Sequence, residues 1–255
     1  MKHFICTILL SAILLLSGHT TFAQRRDSEK NPVTTEVWEP KPKIVTPAEK
    51  PTDPPSDAIV LFDGKNLDQW VSMEDGSAAK WKVSDGAVTV EPKTGAIRTK
   101  KEFGDIQLHI EWRAPAVTDP AKETSQGRGN SGIFLQSAYE VQVLDNYENE
   151  TYSNGQASSI YKQHIPLANA CKKPGEWQTY DIIYTAPRFN DEGRVVHPAY
   201  VTVIHNGVLT QNHVALWGPS MYIGLPVYKK HGKAPLFLQD HNNLVSYRNI
   251  WLREL

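Results

Sequence analysis

From residue 58 onward the chain is a succession of short apolar or alternating runs broken by turn pairs. No window of a dozen residues carries the repeat of an amphipathic helix. The runs are 59–62, 81–83, 87–90, 106–113, 132–135, 139–144, 179–184, 200–205, 208–212, 221–225, 234–240 and 245–252. Asp63-Gly64, Asp85-Gly86 and Asn206-Gly207 punctuate them. Asn206-Gly207 suits a two-residue type I′ hairpin, because both positions there need positive φ. Many strands without interposed helices predict an all-β fold, a two-sheet jelly-roll sandwich. Separate small barrels are disfavoured, since nothing after Asp57 reads as an interdomain linker.

What precedes residue 58 is of another kind. Met1-Lys2-His3 is a short basic start, followed by an apolar run from Phe4 to Ser17 and by Thr21 and Ala23, the small residues a signal peptidase needs. The run is short for a membrane span of about 20 residues. A cleaved signal peptide over 1–23 is expected, with Gln24 as the mature N-terminus. Residues 24–57 carry prolines at 32, 40, 42, 47, 51, 54 and 55, so a flexible linker is expected there, with Trp38 its one large side chain. Cys6 falls in the signal and no cysteine stands at the cleavage point, which argues against a lipid anchor. Cys171 is then the lone thiol of the mature chain and is expected to be buried. Export without disulfides implies a bacterial periplasm. Lys+Arg total 27 against 28 Asp+Glu, so the basic excess of a nucleic-acid binder or a polybasic membrane-surface protein is missing.

Alternation sorts the side chains by face. In the 106–113 run, Ile106, Leu108, Ile110 and Trp112 point one way and Gln107, His109, Glu111 and Arg113 the other. In the next such run Val141 and Val143 face the core while Glu140 and Gln142 face out; Asp145 closes the strand, where a small bulge would return it to that side. Gln239 and His241 share a face, as do Ser246 and Arg248. These stripes hold Glu, Gln, His, Arg and Asn, the types that build fixed hydrogen-bond networks. The glycines of Gly127-Arg128-Gly129-Asn130-Ser131-Gly132 let the backbone turn tightly or approach a ligand. Trp70, Trp81, Trp177 and Trp217 are candidates for stacking on sugars, though for each alone core packing is the favoured reading.

Leu61-Phe62-Asp63-Gly64-Lys65-Asn66-Leu67-Asp68-Gln69-Trp70, Glu111-Trp112-Arg113, Gly129-Asn130-Ser131-Gly132-Ile133-Phe134-Leu135 and Tyr139-Glu140-Val141-Gln142-Val143-Leu144-Asp145-Asn146 follow one another. Gly175-Glu176-Trp177, His205-Asn206-Gly207, Leu238-Gln239-Asp240-His241 and Tyr247-Arg248-Asn249-Ile250 complete the series. In this order and spacing, over about Ile59 to Leu255, they resemble the bacterial 3-keto-disaccharide hydrolase family. The resemblance implies a concanavalin A-like lectin/glucanase jelly roll. Two positions depart from the family pattern: Asn242 follows His241 where relatives have glycine, and Lys162 stands where relatives often have glycine.

The chemistry so implied is cleavage of 3-keto-glycosides. A ketone at C3 acidifies the C2 proton, its loss expels the C1 substituent, and water adding to the enone makes the net result hydrolysis. This needs a general base near C2, an electrophile at the C3 oxygen and an acid for the departing oxygen. The resemblance points to Glu140 and His241 for metal binding or proton transfer, and to Asp145 or Glu111 for the base. Arg113, Asn130, Gln239, Arg248 and Lys162 would hold sugar hydroxyls. One divalent metal ion on Glu140, Gln142 and His241 would be the electrophile, with no organic cofactor. The expected partner is a small-molecule sugar, with neither nucleic acid nor a membrane anchor. The competing classes are a non-catalytic lectin-like module and a conventional retaining glycoside hydrolase. The latter wants two carboxyls about 5–5.5 Å apart, and Gln142 between Glu140 and Asp145 weakens it.

Overall fold

The structure is a computed structural model that describes residues 31–117, 119 and 123–255. The expected signal peptide, its cleavage point and Cys6 lie outside the described residues. The chain divides into two units, Met1–Ile44 and Val45–Leu255. In the first, Asn31 caps a short 3-10 turn at Pro32–Thr35 through its side-chain oxygen, 3.1 Å from the Val33 amide. Trp38 there bonds Glu36 through its indole N–H at 3.2 Å.

The second unit is an all-β sandwich of two antiparallel sheets. The large sheet runs β13 (Val208–Ala215), β12 (Tyr200–His205), β9 (Gln178–Thr185), β6 (Ile106–Arg113), β15 (Ser246–Glu254), β4 (Ala87–Thr89), β3 (Lys82–Ser84), with β1 (Ile59–Phe62) also pairing β15. The small sheet runs β2 (Trp70–Ser72), β5 (Ile97–Phe103), β14 (Ala234–Leu238), β7 (Ser131–Leu135), β8 (Tyr139–Val143). A separate hairpin joins β10 (Arg188–Phe189) to β11 (Val195–His197). Apart from the β3–β4, β7–β8 and β12–β13 hairpins, neighbours in both sheets are far apart in the chain, as jelly-roll connections require. Among the described residues helix is limited to 3-10 turns, and none is long and apolar enough to cross a membrane.

The alternation read from sequence builds the core. Ile106, Leu108, Ile110 and Trp112 of β6 are buried together with Ile133, Leu135, Val141 and Val143 of the small sheet. Three tyrosines of the large sheet cross this core. Tyr180 donates to the Gln142 carbonyl at 2.9 Å, Tyr184 to Gln136 at 2.6 Å and Tyr247 to the Ser131 hydroxyl at 2.6 Å. Each buried bond contributes about 1 kcal/mol, and losing one partner costs more. Two of them end on β7 and β8, so the large sheet holds the strands from which the site projects. Trp70 and Trp81 belong to the core, their indole N–H groups bonded to the Leu61 and Gly95 carbonyls. Asn206 and Gly207 both take positive φ, as the hairpin needs.

Three expectations change. The compact unit begins at Val45, so the second half of the expected linker is folded. The Thr52 carbonyl accepts from Asn249 at 2.8 Å and from Trp251 at 2.9 Å, and Asp57 pairs with Arg253 at 2.9 Å. Proline cannot nucleate a core, but an extended segment can bind a finished sheet through its carbonyls. Second, 221–225 is a loop: Met221, Tyr222, Ile223 and Leu225 are exposed, with positive-φ Gly218 and Gly224 setting its turns. Third, β5 was hidden by its charged stretch Lys100-Lys101-Glu102, which lies exposed while Ile97, Thr99 and Phe103 face inward. Cys171 is half-buried, its sulfur 3.8 Å from the Leu144 carbonyl.

Candidate active site

The outer face of the small sheet carries an ordered grid of side chains. With Tyr139, Val141 and Val143 in the core, Glu140 and Gln142 project outward. Gly132 and Phe134 do so on β7, and Phe237 and then Gln239 on β14 and just beyond it. Residues 158–161 pair with the free edge of β8: Ser158 donates to the Gln142 carbonyl (2.9 Å), Gln142 to Ser159 (3.0 Å) and Tyr161 to Glu140 (3.2 Å). Ile160 between them goes to the core, so Ser159 and Tyr161 face outward. Register then gives two rows. One reads Phe237, Phe134, Glu140, Tyr161; the other reads Gln239, Gly132, Gln142, Ser159.

Glu140 is 5% exposed, and among the described residues nothing hydrogen-bonds its carboxyl. Burial pushes that carboxyl up to about 8, because the charged form loses water without gaining a partner. The absence of a side chain at Gly132 makes the room. A Cβ there would lie 2.5 Å from Glu140 Oε1 and 2.7 Å from Phe134 Cε2, closer than atoms pack. Phe134 and Phe237 stack at 4.0 Å and form an apolar wall beside the carboxyl.

The second row is polar and unsatisfied. Among the described residues, Gln142 Oε1, Gln239 Oε1 and Ser159 Oγ are buried without hydrogen-bond partners, as is the adjacent Ser158 Oγ. Buried polar groups are normally paired, and each orphan costs about 1–3 kcal/mol. Three of them in one row beside a partnerless carboxyl make a surface prepared for hydroxyl groups from outside the chain. Gln142 is steadied by its amide nitrogen, 3.3 Å from both Asn130 Oδ1 and Gln126 Oε1, and Asn130 in turn donates to the Gln126 carbonyl at 2.7 Å.

A rim closes the Glu140 end. The Tyr152 and Tyr161 hydroxyls are 2.8 Å apart, and the Lys162 ammonium donates to the Tyr222 carbonyl at 2.7 Å while lying 4.3 Å from that ring's centre. The Ser220 hydroxyl accepts from the Glu140 amide at 2.9 Å, tying the 221–225 loop to the site strand. The two positions expected to depart from the family pattern share a backbone conformation. Lys162 has φ +56° and Asn242 φ +61°, the left-handed region glycine prefers. Each is a non-glycine residue holding that backbone.

The other sequence candidates divide by place. Asn130 and Gln239 share the face with Glu140 and Gln142. Asp145 is 1% exposed and engaged, 2.8 Å from Arg128 Nε and accepting from the Tyr147 amide at 2.9 Å, so it knots its loop rather than facing a substrate. Glu111, Arg113 and Arg248 stand on the outer face of the large sheet, across the whole sandwich, because their neighbours Ile110 and Trp112 fill the shared core. A base at Glu111 therefore cannot act with Glu140. There Glu111 binds Arg248 at 2.6 Å and Asn249 at 3.0 Å, and both Arg113 and Arg248 lie over Trp177, 4.6 and 4.2 Å from its ring centre. Burial alone would raise the Glu111 carboxyl, but His109, Asn249 and Arg248 outweigh it and hold it at about 2. His109 lies beneath, 1% exposed and 2.7 Å from Asp181. Its separation from Glu111, 3.7 Å, is that of an ion pair and too long for a hydrogen bond. Burial would lower the imidazole, yet the two carboxylates raise it to about 9.

His241 is exposed, in a turn that Asn243 ties to the Gly129 amide at 2.9 Å. Of the expected metal set, Glu140 and Gln142 share the outer face of β8, and His241 lies in the turn after β14. Glu140 and Gln142 offer a carboxyl and an amide oxygen, beyond which a protein-held zinc or calcium would need further ligands. Among the described residues no group of three or more His, Cys, Asp or Glu side chains is placed to hold a metal. Gly132, Phe134, Phe237, Ser159, Tyr152 and Tyr161 were not singled out as site residues from sequence. Apart from the glycine at 132, which marks a close approach, their signal is position against neighbouring segments, which depends on which distant stretches pair.

Comparison with known proteins agrees with this architecture. The family model for a 3-keto-alpha-glucoside-1,2-lyase-like domain matches residues 57–253. The crystal structure of a provisionally named glycosyl hydrolase from Parabacteroides distasonis ATCC 8503 is 54% identical, with a TM-score of 0.82 over 88% of this chain and 97% of that one. A second structure from that organism, with the same provisional name and 19% identical, gives a TM-score of 0.57 over 78% of this chain and 94% of its own, and shows the fold alone. No curated protein matches.

Proposed function

This chain belongs to the 3-keto-alpha-glucoside-1,2-lyase-like family, and from that premise we propose that it cleaves 3-keto-glycosides by removing the C2 proton and expelling the C1 substituent. The observation that carries this reading is Glu140: one buried, partnerless carboxyl titrating near neutrality, beside a row of unpaired polar atoms. A general base works best when its pKa lies near the working pH, and burial has brought Glu140 there. Its carboxylate takes the C2 proton; the C–H electron pair becomes the C1–C2 double bond, and the C1–O pair leaves with the aglycone oxygen. When water adds at C1 of the enone, Glu140 returns its proton to C2, and the balance is hydrolysis. Gln142, Gln239 and Ser159 hold ring hydroxyls, exchanging an unpaired state for a paired one on binding. The wall of Phe134 and Phe237 keeps water from the carboxyl and sustains its raised pKa.

A retaining glycosidase is less well supported. The positions flanking Glu140 in the grid are Phe134 and Tyr161, and the next outward position on β8 is Gln142, so a second carboxyl is missing from all three. Export to the periplasm remains part of the proposal, resting on the expected signal peptide. The test is product formation from 3-keto-trehalose or a 3-keto-glucoside beside the unoxidised parent, with and without EDTA. Cleavage of the keto sugar alone supports the reading, and cleavage of the parent refutes it. Loss of rate in EDTA would support a divalent ion at Glu140, Gln142 and His241.

A further inference from the structure

We infer that Tyr161, relayed through Tyr152, is the general acid that protonates the departing aglycone oxygen. The inference rests on the cleavage reading above and supplies the group it lacks, since Glu140 is occupied with the C2 proton.

Tyr161 faces outward directly across from Glu140, in a pair whose backbones meet at 3.2 Å. Side chains so opposed start about 5 Å apart at Cβ, a separation that lets their ends reach adjacent carbons of one sugar ring. The two groups are electrically in reach of one another. Burial raises the Tyr161 phenol first, then its bond to Tyr152, and the Glu140 charge adds to both. For Tyr152, too, burial leads and the Glu140 charge contributes.

The phenol pair is built rather than incidental. The Tyr152 ring occupies the space of a missing side chain at Gly155, where a Cβ would meet ring carbons at 2.1–2.7 Å. That fixes the Tyr152 hydroxyl 2.8 Å from the Tyr161 hydroxyl. Lys162 spends backbone strain to hold its ammonium nearby, with φ +56° in a non-glycine residue. Its nitrogen lies 5.8 Å from the centre of each of these two rings, anchored on the Tyr222 carbonyl. A cation there stabilises the phenolate left when a proton departs. In the step, the C1–O bond breaks and its electron pair goes to the aglycone oxygen. That oxygen takes the Tyr161 proton, and Tyr161 recovers one from Tyr152, which draws on solvent at its exposed edge. An alkoxide is a stronger base than a phenolate, so the transfer runs downhill even with the phenol raised.

The test compares Tyr161→Phe with the wild type on two 3-keto-glucosides, one bearing 4-nitrophenol and one methanol at C1. Nitrophenolate leaves unaided; methoxide needs the proton. The inference predicts a loss in kcat of about 10²-fold or more on the methyl substrate and little change on the nitrophenyl one. Tyr152→Phe should show the same selectivity at smaller size. Equal losses on both substrates, or none on either, would overturn the role of Tyr161 while leaving the cleavage reading intact. A wild type inactive on both would overturn the reading and the inference together. Thermal melts of both variants separate these outcomes from unfolding.

Discussion

Replacing Glu140 with Gln should abolish turnover and, at neutral pH, make the protein more stable. The unfolded carboxyl titrates at its ordinary 4.5 and the folded one at about 8. Between those limits the folded state binds a proton that the unfolded state has released, so stability falls as pH rises, by about 1.4 kcal/mol per pH unit. The penalty is absent below pH 4.5, about 3 kcal/mol at pH 7 and about 5 kcal/mol above pH 8. Glutamine fills the same space and never ionises, so Glu140→Gln escapes the penalty. At about 2–4 °C per kcal/mol for a chain of this size, the variant should melt roughly 6–12 °C higher at pH 7 and level with the wild type at pH 4.5. Differential scanning calorimetry of both proteins at matched pH reads this difference directly. His109, raised to about 9, also gives up stability as pH climbs past its ordinary 6.5 and through 9, but it does so in both proteins and cancels. A gap that is absent, or constant from pH 4.5 to 8, would refute the claim that Glu140 is buried without a partner.

The same carboxyl sets the pH dependence of catalysis: kcat/KM of the wild type should rise with pH and level off above about 8, as the base form accumulates. Gly132→Ala puts a methyl group 2.5 Å from Glu140 Oε1, so it should cost about 10²-fold in kcat by displacing the base, with a stability loss of about 1–3 kcal/mol by denaturant melt. Glu111→Gln should behave in the opposite way. Losing the pair with Arg248, whose side chain is 41% exposed, costs about 1–2 kcal/mol in the same melt, while kcat per folded molecule stays at the wild-type value.

Alternation alone carried much of this into view. The bounds of β1, β6 and β12 follow from the sequence, and so does the outward pairing of Glu140 with Gln142. Alternation states a face, however, and not a sheet. Glu111 and Glu140 both point outward, yet from opposite sides of the sandwich, because pairing of β6 with β9 and of β8 with β7 is decided by contacts far along the chain. Gly132 was legible as a place for close approach, but what approaches is the Glu140 carboxyl on the next strand, which only register reveals. The 221–225 run misled because its apolar residues, with glycine turns at 218 and 224, lie on the rim of the site instead of in a sheet. Asp145 misled because a carboxylate beside an arginine 17 positions away reads from sequence as free.

The central claim is that Glu140 takes the proton from C2, and it is tested most directly by an isotope effect. A 3-keto-glucoside carrying deuterium at C2, compared with the protiated sugar at pH 8, should show a severalfold lower kcat/KM with wild-type protein, and neither sugar should turn over with Glu140→Gln. Equal rates for the two sugars, together with Glu140→Gln turnover near that of the wild type, would mean that the C2–H bond stays intact and that cleavage at C1 proceeds without the Glu140 base.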